Sequence, residues 1–463
     1  MTLKHRKRNV SVLSQTLEVF RPAPHEEEIT DQKIVEEKYS YWRLRIFYSM
    51  YFGYAFYYFT RKSFTFAAAA MKREMGFDEL TIGTIGTMFA LTYGVSKFTC
   101  GIISDRSNPR YFMGIGLLMT GIFNILFGLS SSMWLMMVLW GLNGWFQGTG
   151  WPPSARLLTH WYSQSERGTW WGVWNTSHNL GGALIPIIAA ACAQSLGWRY
   201  AMHIPGLIGI LFGLTLINRL RDTPQSLGLP KIEKFRNDYP TDAAKSKNER
   251  ELNTKEILFE YVLKNRYVWT LAITYFFVYI VRQAINDWTF LYFTDIKGYS
   301  EVVAGSCVCW FEVGGFFGSL VAGWASDKLF KGKRGPINAL FAAMLIASVS
   351  TIWMFQSKNV VLDSLLIFLT GFFVFGPQML IGVAAAELSH KKAAATATGF
   401  TGLFAYMGAA FAGLPLGWII RDFGWDLFFA VLVVCSLLST LLVLPLWSVK
   451  VNPNCVKVKT NEK

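Results

Sequence analysis

Charge is scarce in this 463-residue chain: 16% of its residues are Asp, Glu, Lys or Arg, where an ordinary soluble domain carries about 25%. With 52% hydrophobic residues beside so little charge, the chain excludes a soluble globular surface and reads as an integral membrane protein. Acids are scarcer still, 30 against 44 bases, and they lie chiefly in loops. No paired-carboxylate or Ser-His-Asp arrangement stands out, so an enzyme is not expected. No Gly-Lys-Ser/Thr follows a glycine-rich turn, which removes the usual phosphate-cradling loop of an ATPase. Of six cysteines, Cys100, Cys192, Cys307, Cys309 and Cys435 sit inside apolar stretches. Cys307-Val-Cys309 lacks the ligand spacing of a zinc site, so neither a metal nor another cofactor is expected. The polar first 40 residues contain no short apolar core ahead of a small-residue cleavage site, and no cleaved signal is expected.

What the chain has in abundance is long apolar windows, each sufficient to cross about 30 Å of hydrocarbon as a helix. They run over 45–71, 80–103, 111–130, 133–160, 168–193 and 201–218, and again over 267–292, 300–326, 335–356, 360–388, 393–420 and 424–447. The expectation is an all-α membrane protein of twelve transmembrane helices in two six-helix bundles. A tail (1–44) precedes the first bundle (45–218), a charged linker (219–266) leads to the second (267–447), and a second tail (448–463) closes the chain.

The net charge of +14 points to topology rather than to nucleic acid, because the bases recur in every second loop. Lys4, Arg6, Lys7, Arg8, Arg106, Arg110, Arg167, Lys328, Lys331, Lys333, Arg334, Lys391 and Lys392 share one face with the linker. The other face offers Lys72, Arg73, Arg199, Lys297, Lys358 and Arg421. Positive charge gathers on the cytoplasmic side, so both tails and the linker are expected there.

The two halves are related in sequence. Gly101-Ile-Ile-Ser-Asp105-Arg106 and Gly323-Trp-Ala-Ser-Asp327-Lys328 each close the second span of their half, at an offset of 222. Arg61 and Arg282 lie in the first and seventh spans at an offset of 221, each three residues after a tyrosine, Tyr58 or Tyr279. A duplication brings the arginines into equivalent places in the two halves.

Arginine at membrane depth is costly and usually marks a substrate path. Its planar fork suits phosphate or carboxylate better than lysine does. Two arginines related by a repeat point to one anion held between two halves. The alternative is an ion pair with Glu312, Asp287 or Glu387, acids otherwise read as pairing helices. Lys97 lies one turn from Tyr93 and near enough to a helix end either to face a pocket or to snorkel. His178 has Asn175 one turn earlier and either meets a ligand or bonds a neighbouring helix carbonyl.

On these residues the chain resembles the organophosphate:inorganic phosphate antiporters of the major facilitator superfamily, which include glycerol-3-phosphate and hexose-phosphate carriers and a hexose-phosphate sensor. The likeness covers nearly the whole chain. It is carried by the Gly-x-x-x-Asp-Arg/Lys loops and by Tyr57-Tyr-Phe-Thr-Arg61-Lys62, Tyr93-Gly-Val-Ser-Lys97, Trp174-Asn-Thr-Ser-His178-Asn179 and Ile285-Asn-Asp-Trp288. The resemblance implies that Arg61 and Arg282 grip phosphate and that Tyr54, Tyr58, Lys97, Asn175, His178 and Tyr279 line the cavity. Phe375-Gly-Pro-Gln-Met-Leu-Ile-Gly-Val383 is similar to the hexose-phosphate branch. Thr398 and Thr401 stand where hexose-phosphate carriers have an Asp and a Lys, and there the chain is closer to the sensor and to glycerol-3-phosphate carriers. The implied activity is uptake of a sugar phosphate, with hexose 6-phosphate preferred over glycerol 3-phosphate, in exchange for inorganic phosphate. A receptor for external hexose phosphate is the other reading. The bacterial inner membrane is the expected location, and nothing in the chain requires more than a monomer.

Overall fold

The structure, a computed structural model, describes residues 21–104, 107–238, 257–330, 333–355, 358–389 and 394–449. Among the described residues the regular structure is helical, with no strand. The first half contains α1 (Gln32–Met75), α2 (Glu79–Ser104), α3 (Pro109–Leu129), α4 (Met133–Gln147), α5 (Trp151–Trp161), α6 (Gln164–Leu196) and α7 (Trp198–Arg219). After the short linker helix α8 (Ile232–Arg236), the second half contains α9 (Arg266–Asp295), α10 (Glu301–Lys328), α11 (Arg334–Met354), α12 (Val360–Glu387), α13 (Ala394–Phe411) and α14 (Leu414–Val443).

Among the described residues, eight segments are long and apolar enough to cross a membrane, and the last, Thr396–Leu446, holds two of the expected spans. The first, second and fourth spans fall outside that set for visible reasons. α1 carries Arg61 and Lys62 amid tyrosines, α2 carries Lys97 among glycines and threonines, and the fourth span is broken. The break lies at Gly148-Thr149-Gly150, where Pro152 and Pro153 supply no N–H to continue the preceding helix and suit the first turn of a new one. The eleventh span breaks likewise between α13 and α14, ahead of Pro415, and Gly424, at φ 81°, turns the chain into the twelfth. α1 begins at Gln32, well before its apolar window, because Asp31 caps it by accepting from the Lys33 and Ile34 amides. Its early residues are buried too: Tyr39 stacks on Phe235 of α8, 4.1 Å between centroids.

The beginning of the linker is tied to the first half. Asp222 accepts from Arg156 at 3.0 Å and from the Ala23 amide at 3.0 Å. Asp105 and Arg106, the side chains of Arg167 and Asp327, and the outermost tail residues lie outside the described residues.

Among the described residues, ion pairs and close backbone contacts join the two halves at the end away from the linker. There Lys72 bridges Glu79 and Asp295, both at 2.6 Å, Arg73 pairs with Glu301, and Arg421 reaches Asp78 at 3.5 Å. Backbones come close as well: a Cβ on Gly83 would lie 2.6 Å from the carbonyl oxygen of Gly413, and one on Gly305 would lie 2.6 Å from that of Pro186. The largest apolar core draws on both halves, with Phe66 of α1 edge-on to Phe290 of α9 at 5.2 Å. Toward the linker the halves separate, and Gly172, Gly382, Gly399 and Gly402 have nothing within 4 Å of where a Cβ would stand.

Candidate functional site

Between the halves lies a cavity of about 950 Å³, lined by α1, α2 and α6 on one side and by α9, α12 and α13 on the other. Tyr54, Tyr58, Arg61, Lys97, Asn175, His178, Tyr279 and Arg282 all border it. The fold therefore brings every one of the sequence candidates to one chamber.

Their contacts form a closed ring. The Arg61 guanidinium lies over Tyr58 at 4.3 Å; Tyr58 meets the His178 ring at 5.8 Å; His178 faces Phe375 at 6.3 Å; and Phe375 carries the Arg282 guanidinium at 4.8 Å. The ring returns through Tyr279, 5.4 Å from Arg282, then Tyr406 at 5.9 Å, Tyr93 at 4.8 Å and Arg61 at 4.7 Å. Arg61, Tyr58, His178 and Tyr93 come from the first half; Phe375, Arg282, Tyr279 and Tyr406 come from the second. Aromatic faces hold a guanidinium through cation–π attraction while leaving its N–H groups free for an anion.

The two arginines are held differently. Arg61 donates from Nε to Gln147 at 3.1 Å and from an Nη to the Tyr93 hydroxyl at 3.2 Å. Arg282 is 8% exposed, and its Nε is buried without a hydrogen-bond partner. Neither forms an ion pair among the described residues, because the acids that would pair with them are engaged elsewhere. Glu312, 1% exposed, takes Lys62 at 2.8 Å and Asn179 at 3.2 Å. Glu387 takes Arg334 at 2.9 Å. Asp287 accepts from Gln283 at 2.6 Å and Asn286 at 2.7 Å. Four cationic side chains and one carboxylate thus line the cavity, and its field favours an anion.

Lys97 faces the chamber, with Nζ 3.3 Å from the Tyr406 hydroxyl and 4.9 Å from its ring centroid. His178 Nδ1 contacts the Asn175 carbonyl within its own helix. An acceptor at that position makes Nδ1 the protonated nitrogen and leaves Nε2 as the ring's remaining polar atom. The carbonyl bond and a place at the cavity are therefore compatible. Sequence reasoning left out Tyr93, Tyr406, Gln147 and Phe375 as parts of this arrangement. Tyr93, one turn before Lys97, carried a helical-spacing signal; Gln147 and Tyr406 reach Arg61 and Lys97 only through tertiary packing. Lys62 and Glu312 join the halves behind the ring, with Asn286 also accepting from Lys62.

A helical chain with an internal duplication, a cavity between its halves and cations without paired acids at that interface has the architecture that membrane carriers share. Residues 50–413 match the Major Facilitator Superfamily, and the chain belongs to that family. It is 57% identical over 439 residues to a probable hexose phosphate transport protein of Chlamydia trachomatis serovar D, covering 93% of this chain and 96% of that protein. It is 52% identical to the membrane sensor protein UhpC of Escherichia coli, covering 90% of this chain and 95% of that one. It is 40% identical to a glycerol-3-phosphate transporter of Bacillus subtilis, covering 93% and 98%. These relatives match the organophosphate branch that the motifs resemble. Among solved structures, an inward-facing, occupied bacterial homologue of the human lysosomal transporter Spinster shares the fold, with a TM-score of 0.69 at 15% identity over 88% of this chain and 96% of the other.

Proposed function

We propose that this protein is a secondary antiporter that takes up a sugar phosphate, a hexose 6-phosphate such as glucose 6-phosphate, in exchange for inorganic phosphate. The observation that carries the reading is the closed ring in which Arg61 and Arg282, one from each half, face a single cavity with no acid among the described residues paired to either. A phosphate of charge near −2 neutralises both and accepts from both forks. Lys97, His178, Asn175 and the hydroxyls of Tyr54, Tyr58 and Tyr279 supply further polar contacts around it.

Because the arginines belong to different halves, the anion draws those halves together, and the occupied site favours closure over the empty one. The structure, sealed at the end away from the linker, corresponds to the state open toward the linker. Rocking of the two bundles about the site then exposes it alternately to either side. The linker and both tails are cytoplasmic by the distribution of bases, the protein resides in a bacterial inner membrane, and the working unit is a monomer.

The test is exchange in liposomes. With labelled phosphate trapped inside, external glucose 6-phosphate releases the label, and phosphate-free buffer does not. Other phosphate esters, glycerol 3-phosphate among them, rank the substrates in the same assay. A second reading, a receptor for external hexose phosphate, draws on the 52% identity to a membrane sensor. Vesicles whose protein binds glucose 6-phosphate yet releases no label would establish that reading over the carrier.

A further inference from the structure

The ring accounts for a phosphate but includes no evident reader of the sugar. The second-half helix α12 presents Phe375, Gln378, Met379, Gly382, Val383 and Ala386 to the cavity, the spacing of one helical face. Along that face only Gln378 has a side chain able to hydrogen-bond. Its Oε1 is buried without a partner, and among the described residues no hydrogen bond from its side-chain amide is found. Gln283 and Asp287, polar groups of α9 at the same cavity, bond to each other at 2.6 Å.

Gln378 follows Phe375, the ring beneath Arg282, by three residues, a rise of about 4.5 Å toward the linker end. A phosphate at Arg282 whose ester extends toward the open side of the site brings that substituent beside Gln378. The amide, with one acceptor oxygen and two N–H donors, suits a substituent that carries several hydroxyls. The phosphoryl group of an ester dianion, R–OPO3²⁻, offers acceptors only, whereas a sugar hydroxyl both donates and accepts and so can satisfy Oε1. Rotation about the terminal side-chain torsion, which has a broad energy profile, turns Oε1 toward one hydroxyl and Nε2 toward its neighbour. Inorganic phosphate held at the arginines has no ester substituent to extend to this amide.

Building on the antiporter reading above, we infer that Gln378 is a specificity-determining residue that binds the hydroxyls of the sugar, separating the hexose phosphate from inorganic phosphate and from hydroxyl-poor esters. Titration calorimetry on purified protein in nanodiscs tests this for carrier and sensor alike, with phosphate, glucose 6-phosphate and its singly deoxygenated analogues as ligands. Gln378→Leu is expected to raise the Kd for glucose 6-phosphate about 10-fold, the scale of a lost pair of hydrogen bonds, and to leave that for phosphate within about 2-fold. At least one deoxy analogue should bind more weakly than glucose 6-phosphate to the wild type but equally well to the variant. Gln378→Met, which keeps the side chain's length and flexibility, should behave as the leucine variant does and guards against a packing defect.

Equal weakening of phosphate and glucose 6-phosphate, or an unchanged preference between them, would overturn the assignment. Insensitivity of the wild type to every deoxygenation would overturn it without any variant. Wild-type protein that binds neither phosphate nor glucose 6-phosphate would instead sink the functional reading on which the assignment rests.

Discussion

The two walls of the cavity carry matching arginines in unmatched settings. Arg61 is fixed by hydrogen bonds to Gln147 and the Tyr93 hydroxyl and lies over the Tyr58 and Tyr93 rings, whereas Arg282 rests on Phe375 and Tyr279 with a buried Nε that no described residue accepts from. Duplication conserved the position and charge of the arginine, but not the groups around it. The first-half arginine is oriented before a ligand arrives, so little ordering is needed there on binding. Its counterpart has hydrogen-bonding capacity left over, and an unpaired buried donor favours whichever ligand satisfies it. On this reading the first wall positions the anion and the second responds to it.

The largest effect tests the junction between the walls. Glu312→Gln leaves the Lys62 ammonium buried without a countercharge, and stability in detergent should fall by about 3 to 5 kcal/mol, read by denaturant unfolding. An unchanged midpoint would mean that the pair is not what holds these helices. Arg282→Lys comes next. It keeps a cation but loses the fork, and phosphate exchange in liposomes should drop about 100-fold at normal membrane insertion, the scale of one or two charge-assisted hydrogen bonds. Full exchange in that variant would remove Arg282 from the site.

Tyr93→Phe keeps the ring under Arg61 and deletes only the hydroxyl that accepts from it. The expected outcome is a rise of about 5-fold in the KM for phosphate, corresponding to roughly 1 kcal/mol, with thermal stability retained. If the KM does not move, Arg61 is no better organised than Arg282 and the contrast between the walls fails. The smallest effect belongs to the seam at the closed end. Lys72→Met removes two half-exposed ion pairs, each worth less than about 1 kcal/mol. A cysteine placed by Ile82→Cys, on the cavity wall near that end, should react less than about 5-fold faster with a reagent added from that side. A larger increase would make Lys72 the main latch.

Much of the architecture was legible in the residues because membrane insertion depends on local hydropathy. The apolar windows coincide with helices, and the register of Gly101 with Gly323 and of Arg61 with Arg282 announced two related halves. The broken fourth span was less legible, since 133–160 reads as one long, largely apolar window and the interruption comes from Pro152, Pro153 and the close approach of Ser96 to Gly148. The early start of α1 was also hidden, because Val35 and Tyr39 look like tail residues until the linker folds over them.

By itself, the sequence determined that a helical membrane chain is doubled and that each half carries one arginine too deep in its first span to reach the membrane interface. Hydropathy and repeat offset are properties of segments, readable one window at a time. Only the tertiary structure decided that Glu312 neutralises Lys62 and that, among the described residues, neither arginine meets an acid. It also closed the ring through Phe375, Tyr406 and Tyr93 and left Gln378 unpaired on an otherwise apolar face. Which of several buried acids meets which of several buried bases depends on how helices distant in sequence cross and rotate, and with so few charges each such pairing determines which cations remain for a ligand.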